Sequence, residues 1–193
     1  MPTLILASTS PHRRALLARL ALPFDCVAPH VTEDELPGEL PAQRAARLAL
    51  AKARAVAAAH AGSIVIGSDQ VASLDGPDGA MLLHKPGTRE RCRQQLQAMS
   101  GRTARFDTAV AVVQGEMVMT HSDLTLVHLR HLDGDAIESY MDREPSFDCA
   151  GGFKCEGLGV TLFESIASRD PTALVGLPLI WLCEALRERG VAV

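Results

Sequence analysis

The sequence lacks long apolar runs and an excess of positive charge. Its first apolar run, Leu4 to Ala7, is too short for the core of a signal peptide, and no stretch approaches the roughly 18 apolar residues that a membrane span needs. The formal net charge of −4 provides no general positive field for nucleic acid or an anionic membrane. We therefore expect a cytoplasmic protein without nucleic-acid or membrane partners, which binds any phosphate through local groups.

Paired cysteines and clustered histidines are also missing. The five cysteines are odd in number, scattered and without a CxxC pair, which argues against a disulfide framework and a thiolate zinc site. The seven histidines are dispersed, and His128 and His131 would point to opposite faces of a strand. We expect free thiols and, for any metal, oxygen ligands.

The chain contains no repeat, low-complexity tract or linker, and β-rich runs alternate with helical segments throughout, which is typical of an α/β fold. With 47% apolar residues it can bury a sizeable core as a single domain over residues 1–193. Asp75-Gly76 and Asp78-Gly79 indicate a tight connection. The predicted strands are Thr3–Ala7, Phe24–Ala28, Ser63–Gly67, Thr103–Val113, Met117–Leu132 and Val160–Phe163, and the predicted helices are Pro11–Leu20, Pro41–Ala61, Thr88–Met99, Asp135–Arg143 and Leu177–Arg189.

The segment from Ser8 to Arg14 lies where the first strand passes into the first helix. Hydroxyl groups, free amide N–H groups and the guanidinium groups of Arg13 and Arg14 converge there, which suits a phosphate cradle. The glycines of a Walker loop or a dinucleotide fingerprint are missing. An ordinary capped helix with a solvated arginine pair explains the same residues.

Lys52 falls on the apolar face of the second helix, whereas Arg47 and Arg54 lie on the opposite side. Because an unpaired buried ammonium is costly, Lys52 should meet a carboxylate or project into a polar cleft. A structural ion pair with Asp69 or Glu33 is the alternative to a functional role.

Asp69 is expected at the end of a buried strand, where α/β proteins often present catalytic groups. A carboxylate there can bind a metal or activate water, although a turn-forming aspartate fits too. Lys85 precedes Pro86 and supplies another cation before a helix. With a phosphate substrate, these groups point to Mg²⁺ or Mn²⁺.

The segment Ala150 to Gly159 is rich in glycine. It has too many glycines for a packed strand and too few polar residues for a free linker. Close approach to a ligand would explain the glycines, and so would a β-bulge or a tight hairpin.

These segments, in this order and at these spacings, resemble the Maf family of nucleotide pyrophosphatases, relatives in fold of the inosine triphosphate pyrophosphatases. The resemblance covers essentially the whole chain. The matching motifs are Leu6-Ala7-Ser8-Thr9-Ser10-Pro11 with Arg13-Arg14, Glu33, Lys52-Ala53, Gly67-Ser68-Asp69, Lys85-Pro86, Ser100-Gly101 and Val175-Gly176-Leu177-Pro178.

Two positions are similar to the family branch assigned to 7-methyl-GTP. Gln70 and Glu156 stand where the dTTP/UTP branch usually has threonine and glutamine. His12 departs from the tryptophan or other large residue expected there. Ala51 and Thr32 replace common carboxylates near the presumed metal site.

The resemblance implies an α/β fold whose mixed sheet and flanking helices form two lobes around a central cleft, in a homodimer. It implies hydrolysis of a nucleoside triphosphate, expected to be 7-methyl-GTP, to the monophosphate and pyrophosphate, with Asp69 as proton acceptor. A dTTP/UTP or other modified-nucleotide pyrophosphatase and a nucleotide-binding regulator of cell division are the alternatives. The implied residues are catalytic Asp69, Lys52 and Lys85, substrate-binding Ser8, Arg13 and Arg14, specificity-determining His12, Gln70 and Glu156, and Glu33 and Asp69 as ligands of Mg²⁺ or Mn²⁺.

Overall fold

The computed structural model of the protein describes residues 2–76 and 79–193. Within these residues, short strands and helices alternate along the chain. The strands are β1 (Leu4–Leu6), β2 (Asp25–Cys26), β3 (Ile64–Gly76), β4 (Gly79–Leu82), β5 (Thr103–Gln114), β6 (Met117–Leu129) and β7 (Phe163–Ala167), and the helices are α1 (Pro11–Ala18), α2 (Pro41–Ala57), α3 (Arg89–Met99), α4 (Gly134–Arg143) and α5 (Leu179–Glu188).

The strands form a mixed sheet, as the family resemblance implies. They are hydrogen-bonded in the order β2-β1-β3-β5-β6-β7, and β4 pairs with β3. β1 runs parallel to β2 and β3, whereas β3 with β4 and β6 with β7 are antiparallel. The chain divides into two compact units, and the long strand β3 passes from the first unit into the second after Gln70.

The first unit comprises Met1–Gln70, Thr108–Asp123 and Asp170–Val193. Its core joins apolar side chains of β1, β3 and β5 to those of α1 and α5. Helix α2 packs closely against β3 at Gly67, where an added Cβ would lie 2.3 Å from the carbonyl oxygen of Ala49. A glycine is therefore required where α2 crosses β3. The same close approach brings α2 next to Asp69, two residues further along the strand.

The second unit comprises Val71–Asp107 and Leu124–Arg169. Helices α3 and α4 contact each other, and α3 also contacts the 3-10 turn Ala150–Gly152. Phe153 packs edge to face against Phe106 and Phe163. This aromatic cluster holds Phe153 of the glycine-rich segment in the interior of the unit.

Most predicted elements are confirmed, with small changes at their ends. Ser10 caps α1 and Pro11 is its first residue. Thr88 and Asp133 cap α3 and α4 in the same way, because their side-chain oxygens accept backbone N–H groups of the first turn. Asp78 of the predicted tight connection lies outside the described residues, and Gly76 pairs with Gly79 in the antiparallel ladder.

Two sequence predictions are wrong. Asp69 lies inside a strand that runs from Ile64 to Gly76, and not at the end of one. The polar residues do not stop the strand because each finds partners within the protein, and buried apolar residues follow. The strand predicted at Val160–Phe163 is a 3-10 turn, Leu158–Leu162, and the strand begins only at Phe163, where pairing with Leu129 starts.

Within the described ranges, no helix combines the length and the apolar character that crossing a membrane requires. All five cysteines are free thiols.

Candidate active site

The candidate site is built around Asp69 in the first unit. Asp69 is on β3 and is 6% exposed, so its carboxylate is almost enclosed. Successive side chains of a strand point to opposite faces, so Asp69 shares with Gly67 the face on which α2 packs. The sequence thus places a carboxylate on a rigid strand directly opposite a helix.

Lys52 is the residue of α2 that meets this carboxylate. It lies on the buried face of the helix and is 6% exposed. Its Nζ donates to Asp69 Oδ1 at 2.5 Å and lies 2.6 Å from Glu33 Oε1. The prediction that this buried ammonium meets a carboxylate is confirmed, and both acids proposed as partners are present.

Burial and nearby charges act in opposite directions on Asp69. Burial raises the pKa of its carboxyl above the ordinary value, and this is the largest effect. The charges of Lys52 and Arg13 and the hydrogen bond from Lys52 lower the pKa, whereas the charge of Glu33 raises it. Asp69 is therefore a carboxylate with a raised proton affinity that neighbouring cations help to keep ionised.

Arg13 lies in the first turn of α1, close enough to Asp69 and Glu33 for their charges to act on it. Burial lowers the pKa of its guanidinium below the ordinary value, and the charges of Asp69 and Glu33 oppose this shift. An arginine stays charged in a protein. Its Nε donates to the carbonyl oxygen of Gly176 at 2.9 Å, which fixes the side chain on a backbone group.

The loop that leads into α1 is organised by serines. Ser8 is buried, and its Oγ accepts the N–H of Ser10 at 3.1 Å. Ser10 Oγ in turn accepts the N–H of Arg13 at 3.4 Å. Arg14 is exposed. Ser8 thus shapes the predicted cradle, and of the two arginines only Arg13 has a described contact with the candidate site.

The carbonyl group of Gly176, for which no role was predicted, accepts hydrogen bonds from both Arg13 and Ser68. Ser68 Oγ lies 2.8 Å from the carbonyl oxygens of both Gly176 and Ala109. Gly176 has a φ of 116°, a left-handed conformation that favours glycine. In the sequence, Gly176 belongs to the motif Val175-Gly176-Leu177-Pro178. The glycine itself is the feature of this motif that indicates an unusual backbone conformation.

Gln70 faces the same backbone segment. Its Nε2 donates toward Thr108 Oγ1 at 2.8 Å and toward the carbonyl oxygens of Ala173 and Leu174 at 3.0 Å. The side-chain nitrogen of this predicted specificity residue is therefore engaged by the protein itself.

The remaining predicted residues are distributed between the two units. His12 is half-buried in the first turn of α1, in the first unit. Lys85 and Glu156 belong to the second unit, and both are exposed. Their predicted roles in catalysis and in base recognition stay predictions.

The glycine-rich segment of the second unit is hydrogen-bonded to Tyr140 of α4 and to Glu144, which follows the helix. Glu144 Oε2 accepts the N–H of Gly159 at 3.1 Å, and the hydroxyl of Tyr140 accepts the N–H of Lys154 at 3.2 Å. A Cβ at Gly157 would lie 2.2 Å from Glu144 Oε1, and one at Gly159 would lie 2.3 Å from the carbonyl oxygen of Lys154. Close packing against the chain accounts for these two glycines, and the approach of a ligand to the segment stays a prediction.

Glu33 and Asp69, the predicted metal ligands, both lie beside Lys52. Their carboxylates converge on one cationic nitrogen, and oxygen atoms are the donors that Mg²⁺ and Mn²⁺ prefer. Glu33 is 55% exposed at its side chain, whereas Asp69 is 9% exposed. The pair thus offers one fixed and one accessible oxygen ligand.

The fold is that of a mixed α/β protein. In its first unit, the carboxylates of Glu33 and Asp69 and the cations of Lys52 and Arg13 lie close together beside β3. The chain belongs to the Maf-like protein family, whose model matches residues 3–189.

Known relatives match nearly the full length. A 7-methyl-GTP pyrophosphatase of Xanthomonas axonopodis pv. citri (strain 306) is 58% identical over 100% of both chains. Proteins of the same name from Polaromonas sp. (strain JS666 / ATCC BAA-500) and Bordetella pertussis (strain Tohama I / ATCC BAA-589 / NCTC 13251) are 53% and 50% identical over 98% of this chain and 86% and 94% of theirs. A solved dITP/XTP pyrophosphatase of Mycobacterium abscessus is a weaker match, with a TM-score of 0.47 and 20% identity over 67% of this chain and 75% of that one.

Proposed function

We propose that this protein is a nucleotide pyrophosphatase that hydrolyses 7-methyl-GTP between its α- and β-phosphates. The products would be 7-methyl-GMP and pyrophosphate. The observation that carries the reaction type is the enclosed Asp69 carboxylate, 2.5 Å from Lys52 Nζ and electrostatically coupled to Arg13. Relatives at 50–58% identity that bear the name 7-methyl-GTP pyrophosphatase support the substrate.

Asp69 would accept the proton of the attacking water. A general base works best when its pKa approaches the working pH, and burial moves the pKa of Asp69 upward, in that direction. The strand holds the carboxylate in place, so little reorganisation accompanies proton transfer. Asn at this position would keep the shape of the side chain and lose the basic oxygen.

Lys52 and Arg13 would offset the negative charge that develops on the phosphates. Both cations lie near Asp69 and are fixed by contacts within the first unit. Fixed charges in a partly dehydrated site stabilise a transition state more than mobile charges in water. In this proposal Ser8 and Arg14 help to bind the substrate, and Lys85 contributes a further cation.

A divalent cation fits the same donors. Glu33 and Asp69 would hold Mg²⁺ or Mn²⁺ through carboxylate oxygens, and the ion would share these two acids with Lys52, whose Nζ contacts one oxygen of each. Such an ion, when bound, supplies charge neutralisation for the phosphates and makes a bound water more acidic.

Glu156 carries the proposed preference for 7-methylguanine. Methylation at N7 gives the guanine ring a positive charge, and a carboxylate facing the base favours that cation over a neutral ring. His12 is proposed to stack on the base, over a smaller area than an indole would cover.

We also propose that the protein works in the cytoplasm, as its composition indicates, and forms a homodimer, as the family resemblance implies. Light scattering coupled to gel filtration measures the mass of the particle directly. A mass near twice 20.6 kDa supports the dimer, and a mass near 20.6 kDa rejects it.

The reaction is tested with purified protein, Mg²⁺ or Mn²⁺, and a panel of 7-methyl-GTP, GTP, dTTP and UTP. Both products are identified by anion-exchange chromatography and phosphorus NMR. We expect pyrophosphate and the monophosphate in equal amounts, with the highest kcat/KM for 7-methyl-GTP. Release of orthophosphate and a diphosphate would reject the cleavage position, and binding without any product would favour a nucleotide-binding regulator.

A further inference from the structure

Two side chains at the carboxyl end of α4 hold both ends of the loop from Lys154 to Gly159. The hydroxyl of Tyr140 accepts the backbone N–H of Lys154 at 3.2 Å, and Glu144 Oε2 accepts that of Gly159 at 3.1 Å. The N–H of Glu144 donates to the carbonyl oxygen of Tyr140 at 2.9 Å, which places the two residues one helical turn apart. One end of a helix therefore fixes where the loop begins and where it ends.

The loop also closes on itself. The N–H of Gly157 donates to the carbonyl oxygen of Lys154 at 3.2 Å. A Cβ at Gly159 would collide with that same carbonyl group, so the first and last residues of the loop are in contact. Among residues 154–159, all of which the structure describes, Glu156 is the exposed one. The path of this short closed loop thus sets the place from which Glu156 projects.

The groups that hold the loop form one buried cluster of Tyr140, Glu144 and Ser146, here called the Tyr140 cluster. Tyr140 is 1% exposed, and its oxygen lies 2.9 Å from Ser146 Oγ and 3.4 Å from Glu144 Oε2. Ser146 is also buried, and its hydroxyl donates to the carbonyl oxygen of Glu144 at 3.2 Å. Burial raises the pKa of Tyr140 to about 12, so its hydroxyl keeps its proton near neutral pH. The two acceptors are therefore held by each other and by the serine.

We infer that Tyr140 and Glu144 are positioning residues, which set the place of the Glu156 carboxylate by holding the ends of its loop. This inference rests on the proposed function, because it concerns the reading of 7-methylguanine by Glu156. The Tyr140 cluster and the loop belong to the second unit, whereas Asp69 and Lys52 belong to the first. Loss of the cluster therefore weakens the preference for the methylated base and leaves hydrolysis itself largely intact.

The test uses Tyr140→Phe, which removes the hydroxyl and keeps the ring, and Glu144→Met, which removes the acceptor and keeps the length of the side chain. Glu144→Gln is the conservative variant, since its amide oxygen can still accept the N–H of Gly159. Ile137→Val is the control, because this core change on the same helix lowers stability without removing a hydrogen bond.

The base preference is measured in two ways. Calorimetry gives the affinities for 7-methyl-GMP and GMP, which contain no anhydride bond to hydrolyse, and kinetics give kcat and KM for 7-methyl-GTP and GTP. Both ratios are also measured in Glu156→Gln and in the double variant of Tyr140→Phe with Glu156→Gln. Amide hydrogen exchange of peptides covering residues 154–159 reports whether the loop is still held.

We expect Tyr140→Phe and Glu144→Met to lower both preference ratios by about 3- to 10-fold, since small misplacements of a charged group have effects of this order. The kcat for GTP should stay close to that of the parent, and hydrogen exchange in residues 154–159 should rise. Glu144→Gln and Ile137→Val should keep the parental ratios. In the Glu156→Gln background, Tyr140→Phe should change the ratios no further, because both residues act on one interaction.

Three results would overturn the inference. Parental ratios in Tyr140→Phe and Glu144→Met would show that the Tyr140 cluster does not position Glu156. A further loss on adding Tyr140→Phe to Glu156→Gln would show that the cluster acts on another part of the site. Equal affinities of the parent for 7-methyl-GMP and GMP would leave no preference to position.

Failure of the proposed function gives a different result. A parent that releases no pyrophosphate from any triphosphate rejects the proposed reaction. The affinities for the two monophosphates do not depend on hydrolysis, so they still decide whether Tyr140 and Glu144 position Glu156.

Discussion

The ammonium of Lys52 lies between two carboxylates, 2.5 Å from Asp69 Oδ1 and 2.6 Å from Glu33 Oε1. The two acids differ in their access to water, since the Asp69 side chain is 9% exposed and that of Glu33 is 55% exposed. Water can therefore replace Lys52 as a partner of Glu33, but it reaches Asp69 poorly. Asp69 depends on its neighbouring cations to remain ionised.

Replacing Lys52 should reduce stability as well as activity. Lys52→Met leaves an enclosed carboxylate without its closest cation, which typically costs about 3 kcal/mol or more of unfolding free energy. Adding Asp69→Asn should restore most of this loss without restoring pyrophosphate release. Urea unfolding followed by circular dichroism gives the free energies, with Arg54→Met on the exposed side of the same helix as the control. A Lys52→Met protein as stable as the parent would contradict the pairing.

The position of Lys52 could be predicted from the sequence because helical periodicity alone places it on a buried face. Because a buried ammonium must meet an acid, few partners remain possible, and both predicted acids, Asp69 and Glu33, contact Lys52. The extent of β3 could not be predicted in the same way. Ser68, Asp69 and Gln70 look like the end of a strand until their partners in α2 and residues 173–176 are known.

The role of Gly176 is a second feature that could not be predicted from the sequence. Its functional atom is a backbone carbonyl, and backbone atoms are the same at every position of a sequence. Only the glycine itself, with a φ of 116°, carries a signal of the unusual conformation. Similarly, the sequence left a ligand, a β-bulge and a tight hairpin open as reasons for the glycines of Ala150 to Gly159, and it could not show that Gly159 packs on the carbonyl group of Lys154.

Glu156→Gln should weaken the preference for 7-methyl-GTP over GTP by roughly tenfold. The substitution removes the negative charge that favours the methylated ring and keeps a hydrogen-bonding group of the same size. The ratio of kcat/KM for the two nucleotides is the measurement, and Glu164→Gln, an exposed carboxylate on β7, is the control. An unchanged ratio would exclude Glu156 from base recognition.

Gly159→Ala should destabilise the protein by about 1–3 kcal/mol, since an added methyl group must displace packed atoms. Its Cβ would lie 2.3 Å from the carbonyl oxygen of Lys154, which cannot move without shifting the backbone. Gly134→Ala is the control, because a Cβ there would have no atom within 4 Å among the described residues, apart from its chain neighbours and the backbone of its own helix. The midpoint of urea unfolding is compared for the three proteins. Equal midpoints for the two variants would contradict the close packing of the glycine-rich segment.

Glu138 should contribute to stability in a defined range of pH. Hydrogen bonds from Arg93 and Arg89 lower the pKa of its carboxyl to about 2. A lowered folded-state pKa gives stability that is complete above the unfolded-state pKa, about 4.3, and lost as the pH falls through about 2. We therefore expect Glu138→Gln to be less stable than the parent at pH 6, and the difference to shrink below pH 4.

The check is urea unfolding of the parent and Glu138→Gln at pH 6, 4 and 3. Glu184→Gln, an exposed glutamate on α5, serves as the control at each pH. A difference between the parent and Glu138→Gln that grows as the pH falls would have the wrong sign and would reject the assignment.

The rate of pyrophosphate release by Asp69→Asn tests the central claim most directly. Asparagine can keep the contact with Lys52 and cannot accept the proton of water, so the variant should fold and still bind the nucleotide. Loss of a general base typically costs about 10²–10⁴-fold in rate. We predict a loss of that size in kcat for 7-methyl-GTP, with nucleotide affinity measured by calorimetry close to that of the parent. An Asp69→Asn protein that releases pyrophosphate at nearly the parental rate would contradict the account.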